Sequence, residues 1–489
     1  MTRRRIAVLA AVAAVVVARS LVLVCWPQAH FDSDQAVTGL MAKHLAEGRA
    51  FPVFMYGQSY LLAVQAWMAA PVFLLFGVSV AALKFPLLII SIVVAVLLIV
   101  LIERETALHP ALAAVAAVPF ILPAPGTAAL LLEATGGNLE PFLYVLLLWL
   151  LRGRPWRCGL LLGFGFLQRE FTLYGFLALL CIWTAERTLF TRAGLVRAGR
   201  VVLAAAGVWI AAQGLRHFSS AAGPGTTVAD LWGAPNNLVE LVSRTCIAPV
   251  TILAGMGRLF SNHWPQLLGT APYPLSDFTI ESRVSQGFPW ASVIPGAALA
   301  LAIARLAMRW RATARMATSI CAYLALVGLF SAGGYVAGRC GELSFYTARY
   351  ELLSLLGIAG IGSGFLAVER SRPVRYVWLG LMLCWAAATA VPHAQLLAEY
   401  VTRPPLGPKQ ELVQALEARG LRYGYADFWV AYYVSFMANE RVILASSDLV
   451  KIRTYNRIVD AHAGEAVRIS RRACAGGEQL TPFFWSCRP

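Results

Sequence analysis

From His30 to Gly48 the chain reads HFDSDQAVTGLMAKHLAEG. Two carboxylates, Asp32 and Asp34, flank the Ser33 hydroxyl at the amino end of a helical pattern. Val37, Leu40, Met41 and Leu45 recur at helical spacing and form one apolar stripe, and Gly48 is a natural stop. The segment is too short to cross a bilayer, so the pattern predicts a helix lying flat on a membrane surface. An Asp or Ser at such a position caps a helix by accepting backbone N–H groups. One cap needs one side chain. The second carboxylate is available as a general base, or as a ligand for a cation, facing a lipid-borne substrate. His44, beside the apolar stripe, reads as interfacial packing.

Further charged residues stand where charge is costly. Arg19 lies inside the first apolar run. There it either snorkels to the interface or faces a cavity in which it meets a lipid phosphate. Arg169 and Glu170 interrupt the apolar stretch 164–173. They pair with each other, or Arg169 serves a phosphate and Glu170 a sugar. Arg349 opens a later apolar run, either as a two-pronged grip on a donor phosphate or as an interfacial anchor with Tyr350. Glu133 and Glu140 flank Gly136 and Gly137 and read as solvated loop carboxylates, with Glu140 kept as a sugar or acceptor contact. His263, next to Trp264 in a long loop, is a candidate contact to an acceptor.

The elements that must carry these residues are membrane spans. Of 489 residues, 59% are hydrophobic and 13% charged, against about 25% charged in a soluble domain, and mean hydropathy is +0.66. Apolar runs recur at 6–26, 60–76, 85–102, 111–132, 141–151, 159–183, 201–212, 290–307, 318–336, 352–368 and 374–391. Each is read against the need to cross about 30 Å of hydrocarbon. The net charge of +16 sits largely in short loops, at 152–157, 186–200, 305–315 and 369–375. That distribution marks a cytoplasmic side and argues against nucleic acid as a partner. Arg3, Arg4 and Arg5 before the first run resemble a signal peptide, but the run is long and no small-residue cleavage site follows. It is read as a retained span with a cytoplasmic amino end. Pro119, Pro123 and Pro125 break the stretch 102–133, where crossing parity fails by one. Two half-length or re-entrant helices would account for it. The expectation is about 10 to 13 spans, with a long external loop at 213–289 that includes a hydrophobic hairpin around residues 246–256.

Beyond about residue 393 the character changes. Prolines at 404, 405 and 408 form a linker. A helix at 410–419, a strand at 422–426, a helix at 428–437 and a strand at 441–445 predict a small α/β unit, external to the membrane. The nine cysteines include no CxxC pair and no zinc spacing. Cys474 and Cys487 enclose a short loop with Gly476, Gly477 and Pro482, and in an oxidising compartment they are expected to form a disulfide. No cofactor is required by the pattern, and a divalent cation is an option rather than a demand.

With these motifs the sequence resembles the GT-C superfamily of membrane glycosyltransferases, in the branch of the protein mannosyltransferases and the lipid A aminoarabinose transferase. Asp34, Gln35 and Ala36 fall on the Asp-Glu-Ala-type motif of that branch's first external loop, and Gly48 ends its helix. Gln35 stands where the branch has Glu, which puts any task needing a second acid there in doubt; Asp32, two residues earlier, is a substitute. Tyr56, Gly57 and Gln58, the stretch 136–140, and Ala348 to Tyr350 also resemble the group, over residues 1–392. The resemblance implies a transmembrane GT-C-like catalytic domain at 1–392, with a first external loop at 27–59, and an extracytoplasmic domain at 393–489. It implies an inverting transfer, in the plasma (inner) membrane, of a sugar from a polyprenyl phosphate to a hydroxyl of an envelope glycan, lipid or protein. Asp34 would be the base, helped by Asp32. Arg349, Arg19 and Arg169 would face the phosphate, and Glu170, Glu140, Tyr56, Gln58 and His263 the sugar or acceptor. The rival readings are a transporter or flippase of a lipid-linked glycan, for which paired halves with matching broken helices are absent from the sequence, and a non-catalytic scaffold.

Overall fold

The structure is a computed structural model that describes residues 3–220, 223–225, 248–269, 291–338 and 345–488. Its apolar runs are mostly helices, which satisfy the backbone within each segment as hydrocarbon requires. Five described helices are long and apolar enough to cross a membrane: α1 (Arg3–Cys25), α4 (Val80–Thr106), α11 (Arg192–Leu215), α16 (Ile320–Gly338) and α18 (Arg372–Thr402). Shorter apolar helices pack among them: α3 (Val64–Phe76), α8 (Glu140–Leu151), α9 (Pro155–Gln168), α10 (Thr172–Ala185), α14 (Val293–Met308) and α17 (Ser354–Val368). Helices α16 and α17 meet where Gly328 and Gly357 lie backbone to backbone, the close approach that small residues permit between helices in lipid.

Three apolar runs differ from their expected form. The stretch 102–133 becomes three short helices, α5 (Pro110–Ala116), α6 (Val118–Ile121) and α7 (Pro125–Leu131). The Thr389 hydroxyl and the His393 ring of α18 satisfy the carbonyls of Leu122 and Pro123 that the second break frees. The run 159–183 is two helices, α9 and α10, interrupted at Arg169, whose backbone is extended at the end of α9. The run 60–76 starts as strand β2 (Gln58–Leu62), paired antiparallel with β1 (Phe54–Met55), before α3 begins. Pro249–Arg258 is a helix, α12, Trp264–Leu267 another, α13, and Trp310–Ala314 a short third, α15; residues 221–222, 226–247 and 270–289 of the expected long loop, and residues 339–344, lie outside the described residues.

The largest departure concerns α2 (Ser33–Ala46). It does not lie on an open surface. Nearly every residue from Ser33 to His44 is buried, the polar Lys43 and His44 included. Helix α3 covers one part of it, and another is covered from the carboxyl end of the chain. There, α18 runs on to Thr402, past residue 392, and is followed by α19 (Pro408–Ala418), β3 (Tyr423–Ala426), α20 (Phe428–Met437), β4 (Ile443–Ser446), α21 (Arg453–Ala461), β5 (Val467–Ser470), β6 (Glu478–Thr481) and β7 (Phe484–Cys487). The strands form one mixed sheet in the order β4-β3-β5-β7-β6, with β3 parallel to β4 and β5. Cys474 and Cys487 are disulfide-bonded, with Cα atoms 6.0 Å apart, as their spacing suggests. Helix α20 packs directly on α2. Gly39 lies against the Phe436 ring, so a Cβ there would collide with it. The Ser33 hydroxyl accepts the Tyr433 N–H at 3.2 Å.

Candidate active site

The amino end of α2 divides its two carboxylates. Asp32 is the cap: its backbone is extended, and its Oδ1 accepts the Gln35 N–H at 3.0 Å. Asp34 sits in the first turn, and among the described residues its carboxylate makes no hydrogen bond. Gln35 is fully buried and uses both sides of its amide. It donates to the His30 carbonyl at 3.4 Å and accepts the Ala134 N–H at 3.3 Å. A Glu ionised at this position could not donate, so the amide in place of an acid has a structural use.

That second clamp delivers a third carboxylate. Glu133 is 5% exposed and Glu140 1%; neither is the solvated loop residue expected. Glu133 accepts Asn138 Nδ2 at 2.7 Å, and lies 3.6 Å from His30 Nε2 and 3.5 Å from an Arg349 terminal nitrogen. Burial pushes the Asp32 carboxyl up to about 7, and the charges of Glu133 and Asp34 push the same way. Burial also raises Asp34, against the opposing pull of Arg349, Lys451 and Arg169. Burial works against Glu133 too, but the nearby His30 ring, the Arg349 charge and the hydrogen bond from Asn138 outweigh it and hold Glu133 well below the usual carboxylate range. One ionised carboxylate thus stands beside two that keep protons at higher pH. That arrangement suits proton transfer near neutrality.

The cations arrive from three places. Arg349, in the turn Phe345–Glu351, has its guanidinium 5.3 Å from the centre of the Tyr350 ring. Arg169, at the α9–α10 break, lies 5.6 Å from the same ring. One aromatic ring therefore lies against both guanidinium groups. The stem of Arg169 crosses Gly137, whose positive φ of 114° and lack of a Cβ make room for it. Lys451, on the loop after β4, completes the set. The described residues contain no ion pair between Arg169 and Glu170, the partly buried residue beside it.

Other sequence candidates go elsewhere. Arg19 is enclosed in α1 with all three guanidinium nitrogens lacking a hydrogen-bond partner among the described residues; the titratable side chain near it is His393 of α18. Glu140 opens α8 beside Gln65 and Gln168. His263 is fully buried, 3.0 Å from Glu351 and packed on Tyr335. Tyr56 points toward the other end of α2, where its hydroxyl meets His44 Nδ1 at 3.1 Å. Gln58 lies in the hairpin beside Gly57, near Lys451. Sequence reasoning passed over Glu133 as a site residue, as well as Lys84 and Lys451. The Lys84 ammonium, buried in α4, donates to the carbonyls of Leu23 and His30 and so ties the loop before α2 to the bundle. The signal for Lys84 was present, a lone cation at the start of an apolar run; none marked the other two. Among the described residues no group of three or more His, Cys, Asp and Glu side chains could hold a metal ion.

The bundle with its covering domain is that of an integral membrane protein with the GT-C fold. Among solved structures it is similar to ArnT from Cupriavidus metallidurans bound to undecaprenyl phosphate, with a TM-score of 0.55 at 13% identity over 98% of this chain and 97% of that one. ArnT in the apo state gives 0.53 at 11% identity, over 95% of this chain and 92% of that one. The Archaeoglobus fulgidus oligosaccharyltransferase tethered with an acceptor peptide gives 0.51 at 12%, over 96% of this chain and 69% of that one. No protein-family model matches the sequence, and no curated protein shows significant similarity to it.

Proposed function

We propose that the protein is a glycosyltransferase that moves a sugar from a polyprenyl-phosphate carrier to an acceptor hydroxyl on the extracytoplasmic face of the plasma membrane, with inversion and with Asp34 as the base. The observation that carries this reading is the division of labour at α2: the cap is Asp32, and Asp34 is left with an unbonded carboxylate ringed by Arg349, Lys451 and Arg169. The fold supports it, since ArnT, which shares that fold, has been seen with undecaprenyl phosphate.

In this mechanism Asp34 takes the proton of the acceptor hydroxyl as its oxygen attacks the anomeric carbon. The bond from that carbon to the carrier phosphate breaks, and the phosphate leaves with the electron pair. Arg349 and Arg169 meet the charge that develops on it. Glu133 is a positioning residue: it aims Arg349 and His30 and keeps a negative charge beside the two aspartates. Glu170 and Gln58 remain as sugar or acceptor contacts.

Turnover of a labelled polyprenyl-phosphate sugar by purified protein tests the reading. Asp34→Asn keeps size and helix compatibility and removes basicity. Turnover is expected to fall about 100- to 10,000-fold, the usual worth of a positioned base, with carrier binding retained. Asp32→Asn, which preserves the cap, is expected to lose less. Unimpaired transfer by Asp34→Asn sinks the assignment, and loss in Asp32→Asn alone exchanges the two roles. A transporter would move the lipid without breaking the glycosidic bond, and a scaffold would do neither.

A further inference from the structure

We propose that Lys451 forms an anion subsite beside Asp34, contributed by the carboxyl-terminal domain, that takes a phosphate or carboxylate group of a substrate; this rests on the transferase reading above.

The placement is built rather than incidental. Lys451 follows β4, at the carboxyl ends of the parallel strands β3 and β4, the edge where α/β units commonly bind ligands. Its loop is fastened on both flanks. The buried Tyr432 hydroxyl accepts the N–H groups of Lys451 and Ile452 at 2.6 and 3.1 Å. Thr454 Oγ1 donates to the Pro224 carbonyl at 2.5 Å, and Ile452 rests on Gly223. The side chain crosses the first-loop hairpin at Gly57, where a Cβ would come within 2.7 Å of Lys451 Cδ. Any side chain at position 57 would displace it.

The ammonium is the unusual part. Four lysines are buried among the described residues. Lys43 is paired with Glu440 and Glu47, Lys84 donates to two carbonyls, and Lys409 lies 5.3 Å from the Tyr433 ring centre. Lys451 is 8% exposed, yet among the described residues nothing hydrogen-bonds or ion-pairs with its ammonium. Asp34 is within electrostatic reach but not in contact. The stem of Lys451 is enclosed while its Nζ is not sealed off, so the donors open to a ligand, and a loop already ordered loses little entropy on meeting one. When Asp34 accepts the hydroxyl proton, the nearest balancing negative charge disappears. An anionic group of the substrate restores the balance, and its source is either the carrier phosphate or an acidic group on the acceptor.

The test uses full-length protein in nanodiscs, with Lys451→Met, which keeps the stem, and Lys451→Arg, which keeps the charge; Lys451→Gln serves if the Met variant is unstable to heat. The probes are undecaprenyl phosphate, neutral undecaprenol, and envelope extract as acceptor for a labelled polyprenyl-phosphate sugar. The extract is used before and after phosphatase treatment and carboxyl amidation. A charged hydrogen bond is worth about a 10- to 100-fold change. Weaker binding of undecaprenyl phosphate but not undecaprenol, restored by Arg, assigns the subsite to the carrier. Unchanged carrier binding with a raised KM for acceptor, erased once the acceptor is neutralised, assigns it to the acceptor. Reductive methylation of Lys451, read by mass spectrometry, needs no turnover. Protection by undecaprenyl phosphate or inorganic phosphate in a protein that transfers nothing would keep the subsite and discard the transferase. Equal binding and equal KM in Lys451→Met, with no protection by any anion, overturn the subsite and make Lys451 a distant counter-charge to Asp34.

Discussion

The two ends of α2 treat charge in opposite ways. At the carboxyl end a carboxylate of the carboxyl-terminal domain, Glu440, is shared by Lys43, His44 Nε2 at 3.0 Å, Arg49 and the Tyr455 hydroxyl at 2.8 Å, and Glu47 also pairs with Lys43 and Arg49. At the amino end three carboxylates crowd together, and their cations are partly unused. The helix dipole favours each sign where it is found. The ends nevertheless differ in satisfaction. Burial works to raise Glu440, but hydrogen bonds from His44, Arg49 and Lys43 outweigh it and hold the group far below the usual range, whereas Asp32 rises to about 7. One end is a lock and the other the proposed site. A saturated lock can hold a strained site at a fixed distance, because a rigid helix joins them and its burial stops it rolling.

Breaking the lock is expected to have the largest effect on the fold. Glu440→Gln leaves Lys43 and His44 buried against a neutral amide, and removing one member of a buried ion pair costs about 3 kcal/mol or more. The lock's stability is fully present above the ordinary glutamate range and is lost as pH falls through the depressed value. The variant's deficit should therefore be constant from pH 6 to pH 8. Thermal unfolding in detergent, with proteolysis in the linker around residues 403–407 as a second readout, checks it. A variant as stable as wild type would mean that α20 alone holds α2.

The second prediction sharpens the contrast at the amino end. Glu133→Gln removes a like charge that raises both aspartates and unpairs Arg349. Turnover should drop roughly tenfold, the low end of what a misplaced charged hydrogen bond costs. The acid limb of the pH–rate profile should move to lower pH, because Asp34 then loses its proton more easily. A limb that stays in place would separate Glu133 from the base. The third prediction concerns stability. An Asp whose folded pKa is raised from 3.8 to about 7 weakens the fold progressively as pH climbs between those values, and by a constant amount above. Asp32→Asn should therefore melt higher than wild type at pH 8 and show a smaller gain at pH 5. Equal melting at both would return Asp32 to a simple cap.

Local pattern made much of this legible. The cap, apolar stripe and Gly48 stop define α2, and the alternation after residue 420 gives β3, α20 and β4 nearly to the residue. Proline positions foretold the broken stretch before Glu133, and a short Gly- and Pro-containing loop the Cys474–Cys487 bridge. The failures share one cause. Glu133 looked solvated because nothing near it in sequence says that Gln35 and His30 will enclose it. Nothing near Tyr56 or His263 in sequence shows that each is buried against a partner from another segment, His44 and Glu351. The amphipathic stripe of α2 was read as facing lipid on one side and water on the other, since a sequence window cannot see a domain about 400 residues later.

By itself the sequence determined that this is a membrane protein, where most of its apolar helices lie, and that two aspartates stand at the start of a short helix after the first span. These are consequences of hydropathy, periodicity and capping, which act over a few residues. Tertiary structure alone decided which aspartate caps and which stays open, that Glu133 joins them, and that Glu440 and Lys451 from the far end of the chain hold the helix and reach its site. Those outcomes depend on contacts such as Lys43 with Glu440, 397 residues apart, and on burial, which changes what a carboxylate does without changing its identity.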